Sequence, residues 1–174
     1  MFIMKNVFSI ILLLATFSVN AQSINYIDNP NFNDEQREIL KVVITLFDGM
    51  REGDSAKVHS VFRNHVEFHT SLTNKEGQPI LLNDDLQPFL NAVGTTHDKI
   101  WDEPLWDIDI KIDNNLASVW TKYAFYIGNE FSHCGVDAFM LNKDENGWKI
   151  FHLTDTRQRN GCEVPNEIKT GRDL

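Results

Sequence analysis

The sequence predicts an α+β domain, because helical and strand patterns occupy different parts of the chain. Between residues 34 and 94 most apolar residues recur at helical spacing. From residue 106 onward apolar and polar residues alternate instead, most cleanly in WDIDIKID at 106–113. Short turn sequences, such as Asn114-Asn115, divide this part into four long strands. Helices followed by an antiparallel meander are typical of an α+β fold.

The first helix is predicted to begin near residue 34 and to end at Gly53. Asn33 or Asp34 can cap its start, and glycine suits the position that ends many helices. One apolar stripe follows the helical period and marks the buried side of the helix. It comprises Ile39, Val42, Val43, Leu46, Phe47 and Met50.

Smaller elements follow before the long strands. Residues 54–62 predict a second, short helix with a polar cap at its start. The stretch VEFHT at 66–70 alternates as a strand, and residues 73–79 indicate a turn or loop. A third helix is predicted to end near Gly94, with Pro88 in its first turn, where the missing N–H costs little.

The first 21 residues have the pattern of a secretory signal peptide. Lys5 precedes a short apolar run at 7–19, and the small residues Val19 and Ala21 form a cleavage-site pattern. The run is too short for a comfortable membrane span, although an uncleaved anchor is the alternative. We therefore expect an exported protein, periplasmic or secreted, with no membrane attachment after cleavage.

One domain is expected in the remainder of the 174-residue chain. Residues 22–32 are predicted to be an irregular lead-in, residues 33–159 the domain, and residues 160–174 a C-terminal tail. The formal net charge is −9 and no basic block occurs, which argues against nucleic-acid binding. A negative charge of this kind serves solubility.

The two cysteines, Cys134 and Cys162, are predicted to form a structural disulfide. An exported chain can oxidise them, and neither lies in a CxxC pair or a metal-type cluster. Closing a loop of about 28 residues would contribute roughly 3–4 kcal/mol in the chain-entropy model. Two free thiols are the alternative.

The stretch HCGVDAF at 133–139 places an acid inside a strand, and hairpin registers predict where that acid points. Turns of two, three and four residues between the last four strands place Asp137 between Thr121 and Thr154 on the core face. His152 then lies on the diagonal from Asp137. The same face is predicted to carry three further candidates, Trp106, Tyr123 and His133. A slip of one residue would reverse any of these assignments.

A carboxylate on a buried face must be neutral, paired or hydrogen-bonded. Apolar surroundings raise its pKa towards values useful in proton transfer. Asp137 and His152 are therefore the candidate catalytic residues. The candidate ligand contacts are Trp106, Thr121, Tyr123, His133 and Thr154. The alternative is that Asp137 only accepts hydrogen bonds from its neighbours and holds the sheet together.

The opposite face of the sheet is predicted to be too apolar to remain in water. It carries Trp120, Tyr126, Val136, Ala138, Met140, Phe151 and Leu153. A homodimer through this outer face is the simplest explanation, and cover from the termini or the 159–174 tail is the alternative. Asp155 and Arg157 are expected on the same face as a surface ion pair of small worth.

The stretch HVEFH at 65–69 looks like a metal-binding set but is predicted to be a solvated strand face. His65 and His69 flank Glu67, and in a strand their Cα atoms lie about 13 Å apart. Both rings could hardly reach one ion at that separation, so a two-ligand site is the alternative. No phosphate loop or dinucleotide fingerprint occurs, and neither a cofactor nor a metal is expected.

Four stretches carry a resemblance to a known family. They are FDGMREGDSAKVHSVF (47–62), LASVWTKYAFYIG (116–128), FSHCGVDAF (131–139) and GWKIFHLTDTR (147–157). They resemble the nuclear transport factor 2-like superfamily, and within it the exported bacterial branch labelled SnoaL-like or lumazine-binding. The resemblance implies a cone-shaped, strongly curved antiparallel sheet packed on the N-terminal helices, a pocket in its mouth, and dimerisation through the sheet. The catalytic positions of enzymes in the superfamily do not map onto this chain residue by residue.

Three functions follow from these observations. The first is an exported protein that binds a small, partly apolar molecule in the cone, with Tyr123, His133, Asp137 and His152 as polar anchors. The second is a dehydratase, isomerase or hydrolase in which Asp137 or His152 moves a proton. The third is a non-catalytic dimeric protein that acts through its outer sheet face, because a fold alone does not specify function.

Overall fold

The computed structural model describes residues 29–170 as helices packed on one curved sheet. The helices are α1 (Asp34–Glu52), α2 (Ser55–Ser60), α3 (Leu86–Gly94) and α4 (Asn166–Lys169). The strands are β1 (Phe62–Thr73), β2 (Pro79–Asp84), β3 (Trp101–Asp102), β4 (Leu105–Asp113), β5 (Leu116–Ile127), β6 (Glu130–Asp144) and β7 (Gly147–Thr156). The predicted signal peptide lies outside the described residues, as does most of the predicted lead-in.

The sheet confirms the predicted α+β class. Its order is β2-β1-β7-β6-β5, and both β3 and β4 pair with the remaining edge of β5. β1 and β7 run parallel, whereas the other neighbours run antiparallel. Within residues 29–170, none of the helices combines the length and apolar character that crossing a membrane requires.

α1 begins and ends where its sequence predicts. The Asn33 side chain accepts a hydrogen bond from the Gln36 amide at 2.9 Å, and the Gln36 side chain accepts one from the Asn33 amide at 3.0 Å. This reciprocal capping box satisfies two amides that the helix leaves unpaired. Gly53 ends the helix at φ 69°, in the left-handed region. The buried side of the helix joins the central core through Ile39, Leu40, Val43 and Leu46.

α2 and α3 also form as predicted, whereas β2 was not predicted. The Asp54 carboxylate caps α2 by accepting from the Lys57 amide at 2.9 Å. Pro88 lies in the first turn of α3, where no intrahelical donor is needed. β2 is an edge strand that is exposed along most of its length. It therefore lacks the alternation by which a half-buried strand is recognised.

The pairing of β5 with β6 has the predicted register around Asp137. Thr121 lies opposite Asp137, and Val119 lies opposite Phe139. The turn between β5 and β6 has two residues instead of the predicted three, since Ile127 pairs with Glu130. A register shift between Phe125 and Tyr126 compensates for this difference, so the predicted pairs form beyond it. Asp137 therefore points to the concave side of the sheet, as predicted.

A β-bulge in β7 exchanges the faces of the sheet on which the side chains of its second half lie. Leu141 pairs with Ile150, whereas Met140 pairs with His152, which leaves Phe151 as the extra residue. A bulge of one residue exchanges the two faces of everything beyond it. The predicted position of Thr154 beside Asp137 is therefore wrong, since Asp155 pairs with Asp137 instead.

This exchange changes four assignments. His152 and Thr154, predicted beside Asp137, lie on the outer face instead. Leu153 and Asp155, predicted on the outer face, lie opposite Phe139 and Asp137 and are buried.

A second bulge moves Trp106 out of the predicted core face. The pairing of β4 with β5 is as predicted near the turn, but it shifts between Trp106 and Asp109. Asp107, at φ 51°, lies within the shift. Trp106 therefore pairs with Lys122 rather than Tyr123 and packs on the outer side of the sheet. Asp107 and Lys122 form an ion pair of 2.7 Å beside this shift.

The C-terminal tail covers one end of the outer face. A disulfide joins Cys134 in β6 to Cys162 in the tail. Around it a small second core forms from Trp106, Ala124, Tyr126, Phe131, Val164 and Ile168. The tail thus provides the cover considered as the alternative, but only in part. Trp120 remains 55% exposed on the same face.

Loss of the disulfide is expected to destabilise the fold. A Cys134→Ser, Cys162→Ser double variant removes a link between positions 28 apart. Its free energy of unfolding should fall by about 3 kcal/mol, because the unfolded chain gains freedom. Urea unfolding measures this difference, and wild type unfolded in a reducing agent serves as the matched control. Equal unfolding free energies for the oxidised wild type and the variant would contradict the expectation.

Candidate functional site

A cavity of about 260 Å³ lies between α1, α3 and the concave face of the sheet. Its wall is apolar and largely aromatic, formed by Leu46, Phe47, Met50, Phe68, Phe89, Ala92, Trp101, Phe125 and Leu153. Its polar lining comprises Glu103, Tyr123, His133, Asp137, Asp155 and Arg157. A few converging polar groups in an otherwise apolar cavity are typical of ligand-binding sites.

A larger groove of about 660 Å³ runs beside α2, α3 and β1. His59, Asn64 and Gln87 are among the residues that line it. None of the described groups with a displaced pKa lines this groove. Since displaced pKa values concentrate at functional sites, the smaller cavity is the better candidate.

Glu103 reaches the cavity from the short connection between β3 and β4. The preceding Asp102 accepts a hydrogen bond from the Arg51 guanidinium of α1 at 2.9 Å. The following Pro104 accepts through its carbonyl from the Ala124 amide at 3.3 Å. Both neighbours are thus anchored, and Glu103 is half-buried at the cavity.

The carboxyl groups of Asp137 and Glu103 are neighbours in the lining of the cavity and interact electrostatically. Asp137 is 3% exposed, so its charge would have little water around it. Burial, the negative charge of Glu103 and that of Asp155 raise the pKa of Asp137 well above its usual range. Burial and the charge of Asp155 likewise raise the pKa of Glu103, to about 8. Two adjacent carboxyl groups cannot both ionise cheaply, so the pair holds a proton near neutral pH.

Asp155 is the third carboxyl group and has its own partners. Its oxygens accept hydrogen bonds from the Thr70 hydroxyl at 2.6 Å and from the Arg157 guanidinium at 2.5 Å. Burial opposes the charge of Arg157, but the bond to Asp155 and its negative charge outweigh it and raise the pKa of Arg157. The pair therefore faces the cavity and not the outer face as predicted, with Asp155 buried and the Arg157 side chain 45% exposed.

Tyr123 bridges the ion pair and the sheet. Its hydroxyl lies 3.2 Å from Asp155 Oδ2 and 2.9 Å from the Thr156 carbonyl oxygen. Burial, followed by the charge of Glu103, raises the pKa of Tyr123. The phenol therefore stays protonated and donates to these acceptors.

His133 forms an aromatic corner of the cavity. Its ring centroid lies 5.7 Å from that of Tyr123 and 5.2 Å from that of Phe125. Burial and the positive charge of Arg157 lower the pKa of His133 to about 4. The imidazole is therefore neutral near pH 7 and can accept a hydrogen bond.

The cavity contains three of the predicted site residues, Tyr123, His133 and Asp137. Thr121 lies beside Asp137 as predicted, but its hydroxyl bonds to the carbonyl oxygens of Trp106 and Lys122, and it does not line the cavity. The other three, Trp106, His152 and Thr154, lie on the opposite face of the sheet because of the two bulges.

The sequence reasoning did not identify Glu103, Asp155 or Arg157 as site residues. A signal for Glu103 is present, since the adjacent acids of WDEPLW are flanked on both sides by apolar residues. No local signal marks the bulge at Phe151, and without it Asp155 and Arg157 are assigned to the wrong face.

Replacing Glu103 with Gln is expected to change how stability depends on pH. A raised carboxyl pKa stabilises the fold at low pH, and this contribution is lost as pH rises from the usual 4.5 to about 8. The amide of the Glu103→Gln variant does not titrate, so the free energy of unfolding of the variant relative to wild type should increase by roughly 1–3 kcal/mol from about pH 5 to about pH 8. The lowered pKa of His133 acts in both proteins and cancels in the difference.

Urea unfolding at both pH values measures this difference. Glu145→Gln, at an exposed glutamate in the β6–β7 turn, is the matched control. A Glu103→Gln difference that stays constant from about pH 5 to about pH 8 would refute the raised pKa.

Two comparisons at the level of sequence give no match for this chain. No protein-family model matches it, and no curated protein matches it either. Its fold, by contrast, recurs among solved structures.

A protein of unknown function from Mycobacterium tuberculosis aligns with a TM-score of 0.59 and 11% identity, over 72% of this chain and 73% of that one. An NTF2-like protein of unknown function from Shewanella baltica gives 0.54 and 17%, over 75% and 100%. A candidate dehydratase of the NTF2-like family from Streptomyces avermitilis gives 0.53 and 12%, over 72% and 97%. Identities this low show the fold and not the chemistry. The chain therefore has the fold of the nuclear transport factor 2-like superfamily.

Proposed function

We propose that this protein binds a small, partly apolar molecule in the cavity between α1, α3 and the sheet. The Glu103–Asp137 carboxyl pair carries this proposal. Burying two adjacent acids is costly, and a structural role for them alone would be served better by apolar side chains. The Asp137 Oδ2 atom is also buried, and no N–H or hydroxyl group of residues 29–170 donates a hydrogen bond to it, which is the kind of group that a ligand can satisfy.

The lining of the cavity indicates the chemistry of the ligand. At about 260 Å³ the cavity lies just below the usual range for drug-sized ligands, so the molecule is small. Phe89, Trp101 and Phe125 offer aromatic surfaces to a flat or ring-shaped part of the ligand. At the polar end, a carbonyl or hydroxyl group could accept the proton of the carboxyl pair or bond to neutral His133.

Proton-transfer catalysis is the second candidate function. A general acid or base works best with a pKa near the working pH, and the pKa of about 8 at Glu103 meets this condition. The proton of the pair could pass to a leaving hydroxyl, as in a dehydratase, or be moved along the ligand, as in an isomerase. A structure of the same fold is described as a candidate dehydratase, so this class of reaction is compatible with the fold. In this scheme Glu103 has the proton-transfer role that the sequence predicts for His152.

Asp137→Asn is expected to weaken ligand binding at least tenfold while the protein stays folded. The substitution keeps the shape of the side chain but removes the proton that the carboxyl pair holds. Native mass spectrometry of the purified chain should show a bound small molecule on wild type and little on the variant. Asp109→Asn, at an exposed carboxylate of β4, is the matched control.

Undiminished ligand on Asp137→Asn would contradict the proposed site. Once the ligand is known, its turnover by wild type separates the two candidates. Conversion by wild type that Glu103→Gln abolishes supports catalysis, whereas an unchanged ligand supports binding alone.

Export is proposed on the basis of the N-terminal sequence pattern. The Cys134–Cys162 disulfide supports it, because disulfides persist in oxidising compartments. The same mass spectra, recorded on chain recovered from the periplasm or medium, test the proposal. The mass should lack the first 21 residues, and a full-length mass would contradict cleavage.

A homodimer through the uncovered part of the outer face is also proposed. Trp120 is 55% exposed there, beside the half-buried Val136, Ala138, Met140 and Phe151. The partner is a second copy, because the face is apolar on both copies and a two-fold contact is self-complementary.

Met140→Glu is expected to convert the dimer to a monomer, since it places a charge in the centre of the apolar face. Sedimentation velocity measures the change. Asn91→Glu, which adds the same charge at an exposed position of α3, serves as the control. A dimer that persists in Met140→Glu would exclude this face as the interface.

A further inference from the structure

Three metal-ligating side chains converge on the outer face of the sheet, on the side opposite the cavity. Parallel pairing places Glu67 of β1 opposite His152 of β7, and His69 opposite Thr154. Glu67, His69 and His152 each offer one ligand atom, and these atoms lie within 4.8 Å of one another. The bulge at Phe151 turns His152 to this face. The cluster is therefore a product of the same irregularity that shapes the cavity.

The orientation of His152 suits a metal ligand. Its Nε2 lies 2.8 Å from the Thr154 hydroxyl oxygen, and its Nδ1 lies 3.3 Å from Glu67 Oε2. When Nε2–H donates to Thr154, the lone pair of Nδ1 points towards Glu67. Metal-bound histidines commonly fix their tautomer through a hydrogen bond of this kind on the other ring nitrogen.

His69 adds a second, independent indication. Its Nδ1 atom is buried, and none of the residues that the structure describes forms a hydrogen bond with it. Its ring centroid lies 5.5 Å from that of His152. A buried polar atom without a partner requires an explanation. A metal ion bound between the two imidazoles would give the His69 ring such a partner.

We propose that Glu67, His69 and His152 bind a divalent transition-metal ion of the zinc class. Two imidazoles and one carboxylate are a ligand set that Zn²⁺ adopts, leaving a fourth position for water or another ligand. Bonds of about 2.0–2.2 Å in a tetrahedral site place ligand atoms roughly 3.3–3.6 Å apart. His152 Nδ1 and Glu67 Oε2 already lie 3.3 Å apart, so the remaining contraction concerns His69, within the 4.8 Å limit of the cluster. Rotation of the exposed Glu67 side chain and of the His69 side chain would bring the ligand atoms to the tetrahedral separation. The ion would cross-link β1 and β7, the parallel pair of the sheet.

The simplest competing explanation is a surface pair between His152 and Glu67. The Glu67 side chain is 76% exposed, and an exposed pair of this kind contributes little. A surface pair between His152 and Glu67 also leaves the buried Nδ1 atom of His69 unexplained. The two explanations differ in what Zn²⁺ does to the protein.

Titration of the metal-free chain with Zn²⁺, in competition with a chromophoric chelator, tests the site. Wild type should bind one Zn²⁺ per chain. His69→Ala and His152→Ala should each weaken that binding at least tenfold. Thr154→Val should weaken it roughly 10–100-fold through loss of the supporting hydrogen bond. His65→Ala is the matched control, since His65 belongs to the same strand but not to the cluster, and it should bind as wild type does.

Nitrogen NMR of the histidine rings in wild type provides a readout that does not depend on the folding of any variant. Zn²⁺ should shift His152 Nδ1 and one nitrogen of His69, while His152 Nε2 remains protonated. Ring resonances of both histidines that do not respond to Zn²⁺ would overturn the proposal. Wild-type affinity in both alanine variants would overturn it as well.

Discussion

Three carboxyl groups meet around one small cavity, and the rest of the site follows from how their charge is neutralised. Of the residues that line the cavity, Arg157 is the permanent cation, and it is engaged by Asp155. If Glu103 and Asp137 were both ionised, the cavity would hold a net charge of about −2 in largely apolar surroundings, which is prohibitively costly. The shared proton removes part of that charge, and it also gives the site an acid that can work near neutral pH.

The sheet brings these groups together by two local departures from regular pairing. The bulge at Phe151 turns Asp155 inward, opposite Asp137. Gly135 allows the end of β7 to approach β6, because a Cβ at this position would collide with the Thr156 carbonyl oxygen. That carbonyl oxygen is also the one that accepts from Tyr123. Backbone irregularity and buried polar groups thus occur at the same place, as is common beside functional sites.

Local patterns in the sequence predict much of the fold and part of the site. The caps of α1, the helices and the inward orientation of Asp137 all follow from short-range rules. The bulges do not, because an extra residue in a strand has no characteristic sequence. Trp106, His152, Thr154 and Asp155 are consequently predicted on the wrong face. Glu103 lies in a connection, where periodicity carries no information about direction.

Infrared difference spectroscopy can detect directly whether Glu103 and Asp137 hold a proton at neutral pH. Spectra of wild type at pH 7, compared with Asp137→Asn and Glu103→Gln, should reveal the C=O stretch of one protonated carboxyl group. The band should disappear or shift in both variants and should fade as the pH is raised past about 8. A wild-type spectrum at pH 7 that contains only ionised carboxylates would contradict the account.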